Sequence, residues 1–551
     1  MKRISVLVAL VLMIAGNLHA GGKFDQKLEQ LKKTKPNDTV RVIVQFKDPS
    51  AISTKLAKAQ AKLSKRFKHF QGFTAELRVK DLDKFDDSSF LSISIDERLQ
   101  GHSAADGLEA ANSSSGALAA FQKYAVTGAG VGVAVIDSGI AVHPDLQNVV
   151  KTVDFTGGPN VRVDPYGHGT HVAGIIAGSG QSSAGLYAGV APSVRLANLR
   201  VLDGTGAGYT SDIISAIEWA MDNRNALGDD GQSLNIRVLN LSLGHPAYEP
   251  VASDPLAVAC RMAVQSGLVV VVAAGNYGKD ANGNPVYGTI TSPGTEPSVI
   301  TVGAVTTWGT PSRADDVIAT YSSKGPTPDR LMKPDIAAPG SRIPSTASAG
   351  NHLLTANPDL AVGIGYMKLS GTSMAAPVVS GAAAMLLAAA PNLTPNAVKA
   401  ILMYTAERKG EPLAFGAGEI NIVGAMDLAR AVNPSAGIGQ YWLTNPTLFA
   451  TPYNAINGYS ALWGQTIVWA DSLRGGQNNF LNYNLKLFGI TMVWGDTICW
   501  DDTVASAQTV AWGESTGWDS TLVAGETVVW GETIVWGETI VWGETILWDE
   551  I

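Results

Sequence analysis

The chain has 551 residues, too many for one hydrophobic core, so its length predicts several domains. Hydrophobic residues make up 46% and charged residues 16%, with 59 glycines, which is typical of a globular α/β enzyme and excludes a disordered chain or a coiled coil. The net charge of -8 is unevenly spread. Residues 21–107 carry 17 basic and 12 acidic side chains, net +5, whereas residues 108–551 carry 21 and 36, net -15. Opposite net charges would favour docking of residues 21–107 on residues 108–551. The equally weighted alternative is that each net charge only keeps its own segment soluble.

The first twenty residues have the order of a secretory signal peptide. Lys2 and Arg3 precede an apolar run over residues 4–15, which is too short to span a bilayer. We therefore predict a signal peptide over residues 1–20 and a secreted protein with no transmembrane segment after its removal. An uncleaved, tethered form is the alternative. The composition indicates no nucleic-acid partner.

The next segment has alternating strand and helix patterns. Residues 39–46 alternate as a half-buried strand, and residues 51–70, rich in Ala and Lys, predict a helix. Further strands are predicted at 73–79 and 90–96, with a short helix at 80–85. We infer a small α+β domain over residues 21–107 and a loose linker over 108–116, where proteolysis would fall.

Residues 117–432 predict an α/β domain with a doubly wound, mainly parallel sheet. Continuous apolar runs of the parallel-strand type recur along this stretch, and helical patterns separate several of them. The apolar runs cover residues 131–136, 195–199, 238–241, 269–273 and 299–302, and the clearest helices cover 211–221 and 255–266. Catalytic residues are expected at the carboxyl ends of such strands.

The tail, residues 433–551, contains tryptophans on a period of six. Because six is even, a strand would place every Trp on one face, whereas a helix would spread them around its axis. The tail is therefore predicted to be β, as a solenoid or as successive hairpins. Its tryptophans stand at 494, 500, 512, 518, 530, 536, 542 and 548.

Two candidate catalytic residues stand at predicted element ends. Asp137 follows the apolar run Val-Ala-Val-Ile at a strand end, where a lone Asp is more commonly a turn or helix-cap residue. His168 lies between two glycines at a predicted helix start, and His171 lies elsewhere on that helix. Two histidines spaced by three with no third ligand do not favour a metal site.

Two further candidates follow the same logic. Ser373, in Ser-Gly-Thr-Ser-Met-Ala, stands at the start of an Ala-rich helix, where a serine is usually a cap but where backbone N–H groups also face an incoming anion. Asn276 follows a buried strand and Gly275. It is either a turn residue or a donor to an oxyanion.

The order Asp137, His168, Asn276, Ser373 within one α/β domain is far more specific than any one of these residues. The sequence resembles the subtilisin-like serine peptidases, whose Asp, His, Ser order differs from that of the chymotrypsin-like and α/β-hydrolase enzymes. The resemblance covers about residues 120–430. It includes the motifs at 240–244, 292–294, 333–336 and 416–418.

The resemblance implies a role for each candidate. Ser373 would attack the scissile carbonyl, His168 would take and return its proton, and Asp137 would orient the imidazole. Asn276 and the backbone N–H of Ser373 would form the oxyanion hole. Substrate would bind as an added strand, which implies broad specificity, with Thr291 near the base of the primary side-chain pocket. The implied substrate-binding residues are Gly206, Ala207, Gly208, Ser242, Leu243, Gly244, Ala273, Ala274 and Gly275.

No cofactor is required for this chemistry, and no metal ligand is predicted. Asp145 matches a calcium ligand of the family, but residues 179–187 lack the Asn-bearing loop that usually completes the site, so a structural calcium ion stays open. The two cysteines, Cys260 and Cys499, are expected to be separate apolar thiols.

Two functions are compatible with the sequence. The first is a secreted, broadly specific serine endopeptidase acting on proteins and peptides. Residues 40–100 resemble the family's propeptide, so this enzyme would be made as an autoprocessed zymogen, inhibited by its own propeptide and cut between residues 101 and 116. The alternative is a surface or matrix-binding protein in which the Trp repeat is the main function and the peptidase serves processing.

Overall fold

The structure is a computed structural model in which two compact units are distinguished. The first unit comprises the chain up to Asp96 together with Ala247–Pro255, and the second comprises Glu97–Pro246 and the chain from Leu256 onward. The predicted signal peptide, residues 1–20, lies outside the described residues. The structure describes residues 23–432 except 87, 102–110 and 311, then residues 453–464, then short strands between 468 and 548.

The first unit is built on a four-stranded antiparallel sheet. Its elements are α1 (Gln26–Thr34), β1 (Thr39–Phe46), α2 (Ile52–Ala59), β2 (Lys62–Arg66), β3 (Gly72–Arg78), a 3-10 helix (Val79–Phe85) and β4 (Phe90–Ile95). The strand order is β2-β3-β1-β4. Apolar side chains from alternate strand positions, such as Val42 and Val44, pack with Phe73, Leu82 and Phe85 in one core.

The predicted helix over residues 51–70 is wrong in its second half. Helix α2 ends at Ala59, and Gln60 has a positive φ of 49°, which a right-handed helix cannot continue. Lys62–Arg66 then forms β2 at the edge of the sheet, paired with β3. Its exposed basic side chains are typical of an edge strand that avoids pairing with other chains. Local helix propensity in this Lys-rich stretch was overridden by pairing with β3.

The second unit contains a large, mainly parallel sheet with helices on both faces. Its order is β15-β14-β12-β10-β6-β8-β7, with β16 beside β14, and only the β14–β15 pair is antiparallel among the pairs described. These strands are β6 (Gly132–Asp137), β7 (Val149–Asp154), β8 (Arg195–Arg200), β10 (Ile236–Leu241), β12 (Val269–Ala273), β14 (Ile300–Thr306), β15 (Val317–Ile318) and β16 (Ile336–Pro339).

The helices of this unit cover both faces of the sheet, as the doubly wound prediction requires. Val133 and Val135 of β6 join the core that contains helices α5 (His168–Ala177) and α9 (Thr372–Ala389), whereas Ala134 and Ile136 are equally buried on the other face. Helix α9 is long and apolar enough to cross a membrane but is a buried core helix. The helices are α3 (Ala111–Ser114), α4 (Ala117–Tyr124), α5 (His168–Ala177), α6 (Thr210–Asn223), α7 (Pro255–Gln265), α8 (His352–Ala356), α9 (Thr372–Ala389), α10 (Pro395–Thr405), α11 (Pro412–Phe415) and α12 (Ile422–Ala431).

Strand order reverses at β6, which has β8 on one side and β10 on the other. In an open parallel sheet, such a switch point leaves a crevice outside the carboxyl ends of the strands, and this crevice is the usual place for a ligand. Asp137 is the last residue of β6 and therefore stands at this crevice.

The second unit also contains a smaller sheet of four strands. Its order is β13-β11-β5-β9, with every pair antiparallel. Strand β5 is therefore held between β9 and β11. The members are β5 (Arg98–Gly101), β9 (Ala207–Tyr209), β11 (Leu243–Pro246) and β13 (Thr291–Ser292), and a separate hairpin pairs β17 (Ile343–Thr346) with β18 (Tyr366–Leu369).

Part of the predicted linker is ordered structure. Residues 111–114 form α3, and Ser114 and Ser115 are buried. The fully buried guanidinium of Arg313 donates a hydrogen bond to the Ser114 carbonyl and forms an ion pair with Glu407 at 2.7 Å. Because a buried guanidinium must have acceptors, this part of the predicted linker is fixed in place.

A hairpin beyond the predicted domain boundary at 432 also belongs to this core. Strands β19 (Tyr453–Ile456) and β20 (Tyr459–Leu462) pair with each other, and Ile456, Ala461 and Trp463 join the main hydrophobic cluster. The Trp463 ring packs edge-on against Tyr404, with 6.1 Å between ring centroids. The core therefore extends about thirty residues past the boundary suggested by the sequence.

The strands described in the tail pair in parallel and in register. One ladder places Trp494, Trp512, Trp530 and Trp542 level with one another, and a second pairs Trp536 with Trp548. Parallel neighbours cannot be joined by a two-residue hairpin, so the pairs described here are not hairpins. These strands are β21 (Val468–Ala470), β22 (Ile490–Trp494), β23 (Thr497–Cys499), β24 (Gln508–Trp512), β25 (Ser515–Gly517), β26 (Thr527–Trp530), β27 (Thr533–Trp536), β28 (Ile540–Trp542) and β29 (Thr545–Trp548).

The packing of the hairpin predicts its effect on stability. Trp463→Ala removes a ring that is only 8% exposed and should lower the free energy of unfolding by about 3–5 kcal/mol. Leu462→Ala, at a side chain that is 65% exposed, should change it by no more than about 0.5 kcal/mol. Urea unfolding in a Ser373→Ala background, which prevents self-digestion, measures both. Equal effects of the two variants would show that the hairpin is not part of the core.

Candidate active site

Asp137 and His168 form the centre of the site. His168 Nδ1 lies 2.8 Å from Asp137 Oδ1 and 3.0 Å from Oδ2, and both side chains are buried. His168 is the first residue of α5, directly after Gly167, whose φ of 103° requires glycine. The strand end and the helix start thus bring the two predicted residues together.

The Asp137 carboxylate controls the charge state of His168. Burial lowers the pKa of the imidazole, but the charge of Asp137 and its hydrogen bond raise it by more, so the net pKa lies above the usual value for histidine. His168 Nε2 has no hydrogen-bond partner in the described part of the chain. An imidazole held at Nδ1 and open at Nε2 can accept a proton there.

Asp164 holds the start of α5, a role not assigned from the sequence. Its carboxylate accepts hydrogen bonds from the backbone N–H groups of Gly167 and Thr170, each at 2.8 Å. It also accepts from Ser138 Oγ at 2.8 Å, and that oxygen accepts from Gly169 N at 2.9 Å. The residue after Asp137 is therefore tied to the residues around His168. The sequence did contain a signal for this role, because Asp164 stands four residues before His168 at a predicted helix start.

His171 does not take part in this arrangement. Its Nε2 lies 2.9 Å from the Ile343 carbonyl and 3.1 Å from that of Met367, so the ring donates to backbone. Burial, with repulsion from His168, lowers the pKa of His171 to about 3. It is a neutral structural histidine, as the sequence suggested when it assigned the basic role to His168 alone.

Ser373 is the second residue of α9 and is buried. Its Oγ donates to the Ser242 carbonyl at 2.9 Å, and Ser242 Oγ donates to the Ser373 carbonyl at 2.8 Å. The Ser242 hydroxyl in turn accepts from Asn240 Nδ2 at 3.0 Å. This network, which the sequence reasoning missed, fixes the helix start to the end of β10. No hydrogen bond joins Ser373 to His168 in this state, so the two predicted partners are not yet engaged.

Asn276 is oriented by Thr372. Its Oδ1 accepts from both the backbone N–H and the hydroxyl of Thr372, each at 3.0 Å, so its Nδ2 is left as the donor. The preceding Gly275 has φ 105° and donates to Thr372 Oγ1 at 3.1 Å. Thr372 is therefore a positioning residue that motif reasoning did not single out.

The predicted substrate-binding residues lie along three strand ends. Gly208 and Ala207 pair with Leu99 and Gln100 of β5, and on the other side Leu243 and Gly244 pair with Gly101 and Gln100. A segment of the chain itself is thus bound as an added strand. Gly206 precedes β9, Ser242 precedes β11, and Ala273 ends β12 followed by Ala274 and Gly275.

Thr291 lies against this last wall. Its N–H and its hydroxyl donate to the Ala274 carbonyl at 3.0 and 3.2 Å, and it is buried. A Cβ added at Gly275 would lie 2.6 Å from Thr291 Cγ2, and one added at Gly244 would lie 2.8 Å from its Oγ1. Thr291 therefore fills the space between the two glycines, and its place near the base of the primary side-chain pocket stays a prediction.

The residues around Asp145 do not fit a calcium site. Its carboxylate already accepts hydrogen bonds from the Tyr366 hydroxyl and from Ser182 N, the latter at 2.8 Å. Donors rather than further oxygen ligands face it, whereas calcium takes six to eight oxygens. Among the residues described, no group of three or more His, Cys, Asp and Glu could hold a metal ion.

Comparison with known proteins agrees with this geometry. The model of the Subtilase family matches residues 128–418. The chain is 41% identical over 303 residues to serine protease AprX of Bacillus subtilis (strain 168), covering 54% of this chain and 66% of AprX. It is 35% identical over 430 residues to subtilisin E of the same strain, covering 77% of this chain and 98% of subtilisin E.

A solved structure shows the same fold. Fervidolysin from Fervidobacterium pennivorans, described as a keratinolytic enzyme related to subtilisin, superposes with a TM-score of 0.57 at 23% identity, covering 75% of this chain and 63% of that one. With this fold and these relatives, the chain belongs to the subtilase family and is a serine endopeptidase by class. The family resemblance in the motifs is thereby confirmed.

The orientation of Asn276 predicts a kinetic signature. Asn276→Ala should lower kcat by about 10²–10³-fold with little change in KM, because the donor acts on charge that develops after binding; this magnitude is the one known for such a donor in subtilisin, a member of this family. Asn282→Ala, in an exposed loop nearby, is the matched control and should leave both constants unchanged. Steady-state peptide hydrolysis measures them. An unchanged kcat in Asn276→Ala would exclude it as the oxyanion donor.

Proposed function

We propose that the protein is a secreted endopeptidase that hydrolyses peptide bonds in proteins with broad specificity and is made as a self-processing zymogen. The observation that carries this proposal is β5, a peptide segment paired on both sides with β9 and β11 and running toward Ser242 and Ser373. A site that holds an extended peptide beside a serine and a histidine–aspartate pair is suited to peptide hydrolysis.

The proposed mechanism assigns one role to each residue. Ser373 Oγ exchanges its bond to the Ser242 carbonyl for one to His168 Nε2 and attacks the scissile carbonyl. His168 takes the proton and returns it to the leaving amine, while Asp137 keeps the proton on Nδ1 and stabilises the imidazolium. Asn276 Nδ2 and the Ser373 backbone N–H hold the negative oxygen. We propose that no cofactor takes part.

Broad specificity follows from how β9 and β11 bind. Main-chain hydrogen bonds are common to all peptides, so strand addition selects for an extended conformation more than for side chains. The wall formed by Ala273, Ala274 and Gly275 is built from small residues that leave room for a substrate side chain, and Thr291 limits its depth.

The position of β5 supports a self-processing bond just beyond this strand. Gly101, its last residue, lies opposite Leu243, and the carbonyl of the neighbouring Ser242 is bonded to the Ser373 hydroxyl. We propose that cleavage occurs between His102 and Ser103, inside the predicted interval of 101 to 116. Residues preceding this bond would remain as the inhibitory propeptide.

Self-processing can be tested with the precursor. The wild-type chain should yield a mature form whose first residue is Ser103, whereas Ser373→Ala should stay unprocessed because it lacks the nucleophile. Ser370→Ala, on the same segment, is the control and should process normally. Intact mass and N-terminal sequencing distinguish these forms. A mature N-terminus elsewhere would refute the register, and processing of pure Ser373→Ala would refute the assigned nucleophile.

Release of the propeptide is proposed to depend on Glu249. Within the first unit, Glu249 accepts a hydrogen bond from Ser94 Oγ at 2.8 Å, and the Ser253 carbonyl accepts one from Gln45 Nε2 at 2.6 Å. Burial raises the pKa of Glu249 well above its usual range, and the Asp254 and Asp25 carboxylates raise it further. Burial within the first unit therefore favours the protonated form of Glu249 over its carboxylate.

This raised pKa predicts a pH-dependent stability. The contribution of protonated Glu249 is complete below its ordinary pKa and is lost as the pH rises through the raised pKa. Glu249→Gln keeps an acceptor for Ser94 and should raise the melting temperature of the first unit at alkaline pH but not at strongly acidic pH. Calorimetry of the Ser373→Ala precursor across this range measures it. A melting temperature that rises equally at every pH would contradict a role for ionisation.

The remaining assignments concern the two ends of the chain. Secretion is supported by the signal-peptide pattern at residues 1–20. We propose that the tail is a β-solenoid with its tryptophans at equivalent strand positions, as the in-register parallel pairing of β22 with β24 suggests. No comparison supports the alternative of a surface or matrix-binding protein whose peptidase serves only processing, and we do not propose it.

A further inference from the structure

Helix α9 contains a proline close to the nucleophile. Pro377 lies inside this helix, four residues after Ser373. In an α-helix each backbone N–H donates to the carbonyl four residues earlier, but proline has no N–H. The Ser373 carbonyl therefore lacks its regular donor within the helix, although the residue is buried. A buried carbonyl without a donor is costly, so another part of the fold has to supply one.

The Ser242 hydroxyl supplies this donor. Ser242 Oγ donates to the Ser373 carbonyl at 2.8 Å, while the Ser242 carbonyl accepts from Ser373 Oγ at 2.9 Å. Ser242 is itself buried and lies between β10 and β11. A single residue on a neighbouring segment thus holds both the backbone and the side chain of the nucleophile.

Two further buried side chains set the direction of the Ser242 hydroxyl. Asn240 Nδ2 donates to Ser242 Oγ at 3.0 Å, so the Ser242 proton is left for the Ser373 carbonyl. The Asn240 amide is held in this orientation because its Oδ1 accepts from Ser380 Oγ at 2.8 Å. Ser380 follows Ser373 by about two turns and lies on the same face of α9. The chain of hydrogen bonds therefore starts and ends on one helix.

The two hydrogen bonds between Ser242 and Ser373 differ in what the reaction requires of them. Ser373 Oγ has to leave the Ser242 carbonyl in order to reach His168 Nε2, so this bond is lost before the attack. The bond from Ser242 Oγ to the Ser373 carbonyl does not include the moving atom and can persist. It holds the Ser373 backbone, whose N–H is a proposed oxyanion donor, while the side chain turns.

We propose that Ser242, through its hydroxyl, is a positioning residue for peptide hydrolysis. The hydroxyl replaces the helix hydrogen bond that Pro377 cannot make, and it fixes the Ser373 backbone while Ser373 Oγ moves from the Ser242 carbonyl to His168. This role is separate from the predicted contact of Ser242 with substrate, which uses its main chain. The inference rests on the proposed mechanism and adds to it a source of order at the nucleophile.

The test is a double-mutant cycle on the mature enzyme, with one unstructured peptide as substrate and active-site titration to correct for the concentration of competent enzyme. Ser242→Ala should lower kcat about 10- to 100-fold with little change in KM, because the substrate-binding main chain is kept while the nucleophile is less well held. In a Pro377→Ala background the helix N–H is present, so the same substitution should lower kcat by no more than about twofold. Ser266→Ala is the matched control, since it removes a hydroxyl that donates to the Ala263 carbonyl at 2.7 Å, and it should leave both constants unchanged.

The double variant Ser242→Ala, Pro377→Ala decides the question even if Ser242→Ala alone does not fold, because it lacks the hydroxyl but has the helix donor. It should fold and hydrolyse the peptide nearly as fast as Pro377→Ala. An equal loss of kcat in both backgrounds, no loss in either, or a double variant that is unfolded or inactive would overturn the inference and leave the peptidase function intact. A wild-type enzyme that cleaves no peptide would instead overturn the proposed function.

Discussion

A buried carboxylate in contact with a buried imidazole sets the conditions that the rest of the second unit must meet. An unpaired charge at such a depth is costly, so Asp137 requires donors and His168 requires a fixed orientation. Ser138 N donates to the Asp137 carboxylate at 2.7 Å. Ser138 Oγ donates to the carboxylate of Asp164, which caps the helix that carries His168. The end of β6 and the start of α5 are therefore coupled. The switch point at β6 leaves a crevice beside both residues.

The cleft beside this pair is made mostly of backbone. Two strand edges, β9 and β11, present unpaired N–H and C=O groups that pair with whichever extended segment reaches them. Here that segment is β5, from the chain itself. Recognition of main chain would account for the proposed broad specificity, and it would leave any selectivity to the side chains that line the cleft.

The sequence was informative where one residue type is required at a strand or helix end. Asp137, His168, Asn276 and Ser373 could be proposed because apolar runs and glycines marked those ends, and the parallel sheet could be proposed from the same runs. Thr372 could not, because its role depends on a contact with Asn276, which is far away in sequence. Asp164 was missed although its contacts with Gly167 and Thr170 are local, since an acidic residue before a helix start is common and is not specific to an active site. The edge strand β2 was taken for a helix since its composition suits one. Trp463 lies beyond a stretch with no clear pattern, and only tertiary packing shows that it belongs to the core.

In the proposed self-processing, cleavage of the chain and release of the cleaved segment are separate steps. A cut beyond Gly101 would leave the main-chain pairing of β5 with β9 and β11 in place, so the product would remain bound as a strand and block the cleft. The proposed cut requires the neutral imidazole of His168, whose pKa the charge of Asp137 raises, so it would slow as the pH falls. The proposed release would depend on the free energy of the first unit, in which burial and the nearby Asp254 and Asp25 carboxylates raise the pKa of Glu249. The two steps would therefore respond to pH through different groups, one in each unit.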